Sequence, residues 1–166
     1  NFRNEPAMGG GAFWDLAAYA ITPGRVFFNA APVDVSCRIL SRDAVSGLDL
    51  SFALTAVYGG GQVLQGFFAF GAEYRNTMTL LGSGAAASID PAFTSTRDAA
   101  LTVRVRQRDV VEARVVGASD TFRLFTERVI DSIHRRDWGE WPRALLLDAE
   151  VAAHALHSAG VNRNAD

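Results

Sequence analysis

The chain has 166 residues, 49% of them apolar, and a formal net charge of −2. This length suits one compact domain, and the near-neutral charge argues against a nucleic-acid binder, which usually carries a strong basic excess. All 16 basic residues are arginine. A reaction that needs a lysine acid, base or Schiff base therefore cannot be completed by this chain alone.

The cysteine count and the hydropathy pattern narrow the class further. Cys37 is the only cysteine, so an internal disulfide is excluded, and its apolar surroundings predict a packed thiol. No apolar run reaches the roughly 18 residues that cross a membrane, and no signal peptide is visible. We expect a cytoplasmic protein without membrane contacts.

In chain order, the first predicted element is a helix. Residues 12–21 are rich in helix formers, after a loop-like start that contains Pro6 and three glycines. Pro23 and Gly24 are expected to kink or restart this helix before a last turn at 25–29.

The middle of the chain reads as six or seven strands. The candidate segments are 33–41, 48–58, 62–70, 74–81, 85–89, 101–108 and 110–116. Tight glycine-rich turns make successive strands antiparallel. In the last hairpin we place Val103 and Val105 on the same face as Val111, Ala113 and Val115.

The end of the chain is predicted to be helical. Ser119 or Asp120 is a natural N-cap, and Pro142 suits the first turn of a final helix that reaches about Ser158. The predicted fold class is α+β, with an open, mainly antiparallel six- or seven-stranded sheet and helices on one face.

The central strands carry apolar residues on both faces. Phe52 and Leu54 alternate with Ala53 and Val57, and the next strand contains Phe67 and Phe68 in succession. Helices on one face would leave the other partly bare, which predicts self-association through that face. The alternative is that loops or a further domain cover it.

The most informative motif precedes the first helix. Gly9, Gly10 and Gly11 lead into a helix whose early turns carry Asp15 and Tyr19, four residues apart and hence on one face. A carboxylate and a phenol placed this way can bracket a polyhydroxylated substrate, although such pairs are also common in purely structural roles. The run is not a dinucleotide fingerprint, since no strand precedes it.

Other polar residues give weaker indications. Arg3, ahead of the glycines, either reaches a substrate anion or forms a salt bridge with a neighbouring acid. His154 and His157 lie three residues apart, but no carboxylate or cysteine cluster accompanies them. We therefore predict solvated helix residues and no metal site.

The pattern Phe-Arg-x-x-Pro-x-x-Gly-Gly-Gly-Ala-x-x-Asp-x-x-x-Tyr, residues 2–19, resembles the start of the C-terminal domain in the glucose–fructose oxidoreductase / inositol dehydrogenase / MocA family. Segments 74–76 and 81–85 resemble its strand–turn–strand region. The resemblance implies a fold like the C-terminal domain of dihydrodipicolinate reductase. It also implies that residues 1–166 form a substrate-binding and oligomerisation domain, while an N-terminal Rossmann domain is absent from this chain.

The same resemblance implies a function. An oxidoreductase would act on a sugar, polyol or related diol, with NAD or NADP bound mainly by the Rossmann domain, which also supplies a lysine. Asp15 and Tyr19 would be catalytic, and Arg3, Gly10 and Gly11 would join them in binding substrate. We expect a homodimer or homotetramer and no activity from this chain alone. The alternative is a non-enzymatic, stand-alone dimerisation or ligand-binding module of the same fold.

Overall fold

The computed structural model describes residues 1–161, which divide into two compact units. The first contains residues 1–72 and 139–161, and the second is Glu73–Trp138. After two short 3-10 turns, Phe2–Asn4 and Pro6–Met8, the elements of the first unit are α1 (Ala12–Phe28), β1 (Pro32–Arg42), β2 (Asp49–Tyr58), β3 (Val63–Ala69) and α3 (Trp141–Ser158). Those of the second are β4 (Met78–Leu81), β5 (Ala86–Ile89), β6 (Leu101–Gln107), β7 (Val110–Val116) and α2 (Thr121–Arg135).

The core of the first unit lies between its sheet and its two long helices. Strands β1, β2 and β3 pair antiparallel in that order, and α1 and α3 pack against them. Alternate residues of β2 face the helices, so Phe52 and Leu54 are fully buried. The Phe52 ring lies 5.2 Å from that of Phe13 on α1 and 5.3 Å from that of Phe68 on β3. Cys37 is buried beside them, as predicted.

Helix α1 is continuous through Pro23, so the predicted restart at Pro23-Gly24 is wrong. Proline removes one intrahelical donor, which normally weakens a helix interior. Here the side chains on either side are anchored. Thr22 donates to the Asp148 carboxylate on α3 at 2.9 Å, and Arg25 donates to both oxygens of that carboxylate at 2.8 and 2.9 Å. These tertiary contacts hold the helix together across the proline.

The second unit is a four-stranded antiparallel sheet, in the order β4-β5-β6-β7, followed by α2. Asp120 caps α2 as predicted, with its carboxylate accepting from the Arg123 amide at 2.9 Å. No residue of α2 is buried, and all seven residues of β7 are exposed.

The α+β class and the antiparallel pairing are confirmed, but the seven strands form two sheets instead of one. The predicted strand 74–81 is shortened to Met78–Leu81. Asn76 explains the difference, because its side-chain oxygen accepts from the Ala92 and Phe93 amides while its amide group donates to Thr94 at 2.7 Å. Gly71, with a φ of 76°, turns the chain just before this segment.

The predicted face assignment of the β6–β7 hairpin is wrong. Gln107 pairs with Val110 across a two-residue loop, so odd positions of β6 lie opposite even positions of β7. Val103 and Val105 therefore share their face with Arg114 and Glu112.

Candidate functional site

Three predicted site residues come together where the 3-10 turn Phe2–Asn4 lies beside the first turns of α1. The Arg3 Nε atom lies 2.7 Å from the Asp15 Oδ1 atom. The hydrogen bond to Asp15 and the charge of that carboxylate raise the pKa of the Arg3 guanidinium, with a smaller contribution from Tyr19. The guanidinium, the carboxylate and the phenol thus form one electrostatic cluster. Of the two alternatives for Arg3, the salt bridge to a neighbouring acid is observed.

This cluster is open to solvent. Tyr19 is 37% exposed, and the Asp15 side chain retains 16% of its accessible surface while it contacts Arg3. Neither side chain points into the apolar core. The arrangement leaves a hydrogen-bonding carboxylate edge and a phenol accessible to a hydroxylated ligand.

The predicted binding glycines lie beneath the cluster. Gly10 and Gly11 are buried, and their amides donate to the carbonyls of Glu5 at 3.0 Å and Arg3 at 2.9 Å. A side chain on Gly10 would collide with the Arg3 backbone, and Gly11 has a φ of 111°. Close approach by another part of the chain thus accounts for both glycines. A direct contact with substrate stays a prediction.

Asp49 is a residue that the sequence analysis missed. It opens β2, and its Oδ2 atom accepts from the Phe13 amide at 2.6 Å, which caps the first turn of α1. The available signal was Gly11, which precedes the helix and has no side chain to act as an N-cap. The first amides of such a helix bond to water or to an acceptor from elsewhere in the chain, and here Asp49 is that acceptor.

The glycine run does not fit the phosphates of a dinucleotide. The Gly9, Gly10 and Gly11 amides all donate to nearby carbonyls, and the Asp49 carboxylate already occupies the N-terminus of α1. A phosphate would meet like charge there instead of free donors. A nicotinamide dinucleotide would have to be held by other residues.

The described residues give no sign of a metal centre. Among residues 1–161 no group of three or more histidine, cysteine, aspartate and glutamate side chains has metal-binding geometry. His154 and His157 line a shallow cavity of about 270 Å³ together with Ser158 and residues 32–35. No helix in the same part of the chain is both long and apolar enough to cross a bilayer.

The first half of the chain matches the model of a known protein family. The model of the GFO/IDH/MocA C-terminal domain matches residues 1–88. The chain belongs to that family, which confirms the resemblance inferred from residues 2–19.

Three relatives illustrate the likeness. A dTDP-3,4-didehydro-2,6-dideoxy-alpha-D-glucose 3-reductase of Saccharopolyspora spinosa is 28% identical over 74% of this chain and 37% of its own length. KijD10, a 3-ketoreductase from Actinomadura kijaniata solved with NADP and TDP-benzene, superposes with a TM-score of 0.81 at 21% identity, over 95% of this chain and 49% of its own. The UDP-N-acetylglucosamine 3-dehydrogenase GnnA from Acidithiobacillus ferrooxidans gives 0.64 at 17% identity, over 84% and 45%.

These superpositions agree with the α+β fold described above. The chain spans less than half the length of each of these relatives.

Proposed function

We propose that this chain is the substrate-binding and oligomerising domain of an NAD(P)-dependent oxidoreductase that acts on a sugar. The observation that carries the proposal is the solvent-accessible cluster of Arg3, Asp15 and Tyr19, within the segment that the family model matches. The dinucleotide, which exchanges a hydride with the substrate, is held in this proposal by a separate Rossmann domain that also supplies a lysine.

In this proposal each residue of the cluster has a different role at the substrate. Tyr19 holds the proton that is exchanged with the oxygen on the reacting carbon, directly or through a hydrogen-bonded group. Asp15 accepts hydrogen bonds from substrate hydroxyls. Arg3 acts through Asp15 as a positioning residue, since its guanidinium fixes the orientation of that carboxylate at 2.7 Å.

The relatives support a narrower substrate class. Two are named for a sugar carried on dTDP or UDP, a third was solved with TDP-benzene, and all three names place the chemistry at position 3. We therefore propose a nucleotide-linked sugar that is oxidised or reduced at one ring carbon.

Self-association through the open face of the first sheet belongs to the same proposal. Val63 and Phe67 lie on the face of β3 turned away from the helices and are 51% and 64% exposed. A second copy stacked on this face would bury them. Phe67→Glu is expected to lower the mass of the particle measured by sedimentation velocity.

Turnover by the complete protein tests the catalytic part of the proposal. Tyr19→Phe removes only the phenol oxygen and is expected to lower kcat roughly 10²-fold with a small change in KM. Tyr74→Phe is the matched control, because it removes the same atom from a tyrosine in the second unit and should leave turnover unchanged. Equal turnover by the two variants would exclude Tyr19 from the reaction.

A non-enzymatic module of the same fold predicts a different outcome. In that case Asp15 and Tyr19 serve only structural contacts, and no dinucleotide-binding domain accompanies them in the complete gene. The exposure of Tyr19 favours the enzymatic alternative. A complete gene without such a domain would favour the module.

A further inference from the structure

Strand β7 is an exposed sheet edge with a self-complementary sequence. Among residues 1–161 its one strand partner is β6, and each of its seven residues is exposed. An edge strand that is rich in valine presents unpaired backbone groups and is a template for another strand. Natural proteins often blunt such an edge with a proline, a bulge or charged side chains. β7 contains no proline or bulge, and its two charged residues, Glu112 and Arg114, are of opposite sign.

The hairpin register fixes which backbone groups face outwards. Gln107 and Val110 flank the two-residue loop and lie opposite one another. Residues that flank such a loop form a hydrogen-bonded pair. Alternation along the ladder then directs the even-numbered residues of β7 towards β6. The amide and carbonyl groups of Val111, Ala113 and Val115 point away from the sheet.

These outward groups restrict how a second β7 can pair. The outward-facing residues of β7 are the odd-numbered ones. In an antiparallel pair they form hydrogen bonds only when they lie opposite the odd-numbered residues of the partner, so the register can shift only in steps of two. Centring the pair on Ala113 places Glu112 opposite the partner's Arg114, and all four valines of β7 opposite valines. A shift by two residues in either direction places Glu112 or Arg114 opposite its own copy, and like charges directly opposite are destabilising.

The charges are available for this pairing. Glu112 and Arg114 are 61% and 69% exposed in their side chains and make only a long contact with each other, at 3.4 Å. An exposed pair of that length contributes little to stability. Both side chains can therefore turn to a partner without losing a strong interaction.

We propose that two copies of this chain join edge to edge through β7, centred on Ala113, so that two four-stranded sheets become one eight-stranded sheet. This contact is separate from the open face that carries Phe67. Seven paired residues bury less than a standard interface, so we expect a dissociation constant in the micromolar range for the isolated contact.

Charge reversal tests the register. All chains carry Phe67→Glu, so that association through the open face does not mask the edge, and they are measured at low ionic strength by sedimentation from about 1 to 200 µM. Glu112→Arg and Arg114→Glu each create two like-charge pairs and should weaken the dimer about tenfold or more. An equimolar mixture of the two variants should dimerise as the parent does, because every pair is again of opposite charge.

Backbone variants test the edge itself. Ala113→Pro removes the amide at the centre of the pairing but no bond to β6, so it should abolish the dimer while circular dichroism stays unchanged. Ala113→Ser keeps the amide and should retain the dimer. A monomeric parent, equal association of all variants, or a mixture of charge variants that stays monomeric would each overturn the proposal.

Discussion

At the scale of single residues, two side chains of the first unit have effects on stability that can be measured. Asp49 supplies the cap that Gly11 cannot, and the buried Cys37 thiol reports on the core. Both act through capping and packing within the first unit. Their effects are therefore expected on stability and only indirectly on function.

Removal of the Asp49 carboxylate should uncap α1. We expect Asp49→Ala to lower the free energy of unfolding by about 1–2 kcal/mol, since the Phe13 amide loses its acceptor. Urea denaturation followed by circular dichroism measures the change. Asp98→Ala is the control, because Asp98 is 85% exposed and contacts only Arg97 at 3.4 Å. Equal stability of the two variants would contradict a capping role.

The buried thiol of Cys37 is expected to make the protein less stable at alkaline pH. Burial, with a smaller contribution from Asp49, raises the pKa of Cys37 from 9.0 to about 11. The unfolded thiol therefore loses its proton first, and the free energy of unfolding should fall by about 1–3 kcal/mol between pH 9 and 11. Burial also raises the pKa of Tyr58, which adds a loss of the same sign.

The variant Cys37→Ala separates the two groups. It should retain only the part of the alkaline loss that Tyr58 causes, as measured by urea titrations at each pH. An identical pH dependence in the parent and the variant would show that the thiol does not contribute.

At the scale of elements, local signals predicted most helices, strands and antiparallel hairpins, but not the continuation of α1 or the register of the last hairpin. Strand β7 and the cap of α2 follow directly from alternation and from Asp120. Helix α1 continues past Pro23 because Asp148, more than 120 residues away, binds Thr22 and Arg25. No local pattern contains that contact. The predicted strands 101–108 and 110–116 leave a one-residue loop, whereas the structure has a two-residue loop between Gln107 and Val110. That difference of one residue reverses which side chains share a face.

A substitution at Gly24 tests how the packing of α1 against the sheet limits its sequence. A methyl group at this position would meet the hydroxyl of Tyr58, whose ring is buried and packs 4.7 Å from that of Phe28. Alanine usually favours a helix over glycine by about 1 kcal/mol. Here we expect Gly24→Ala to destabilise by about 1–3 kcal/mol, because the clash outweighs that gain.

A double-mutant cycle isolates the clash. Tyr58→Phe removes the hydroxyl, so Gly24→Ala should cost about 1 kcal/mol less in that background. Thermal or urea unfolding measures all four chains. The same cost in both backgrounds would mean that the hydroxyl does not set the preference for glycine.

At the scale of the whole molecule, the family and the α+β class could be predicted from residues 2–19 and the strand pattern. The late start of β4 could not, because it depends on side-chain bonds of Asn76 to a loop at residues 92–94. The Asp15–Tyr19 spacing predicted a shared helix face. The spacing did not predict that Arg3 forms an ion pair with Asp15.

In the proposed function, Asp15 and Tyr19 face the substrate across a cleft that a dinucleotide-binding domain completes. A crystal structure of the complete protein with NADP and a nucleotide-linked sugar tests it most directly. We expect the Tyr19 oxygen about 2.6–3.2 Å from the oxygen on the reacting carbon, directly or through one bridging group, and Asp15 bound to a substrate hydroxyl. A sugar bound away from both side chains would contradict the account.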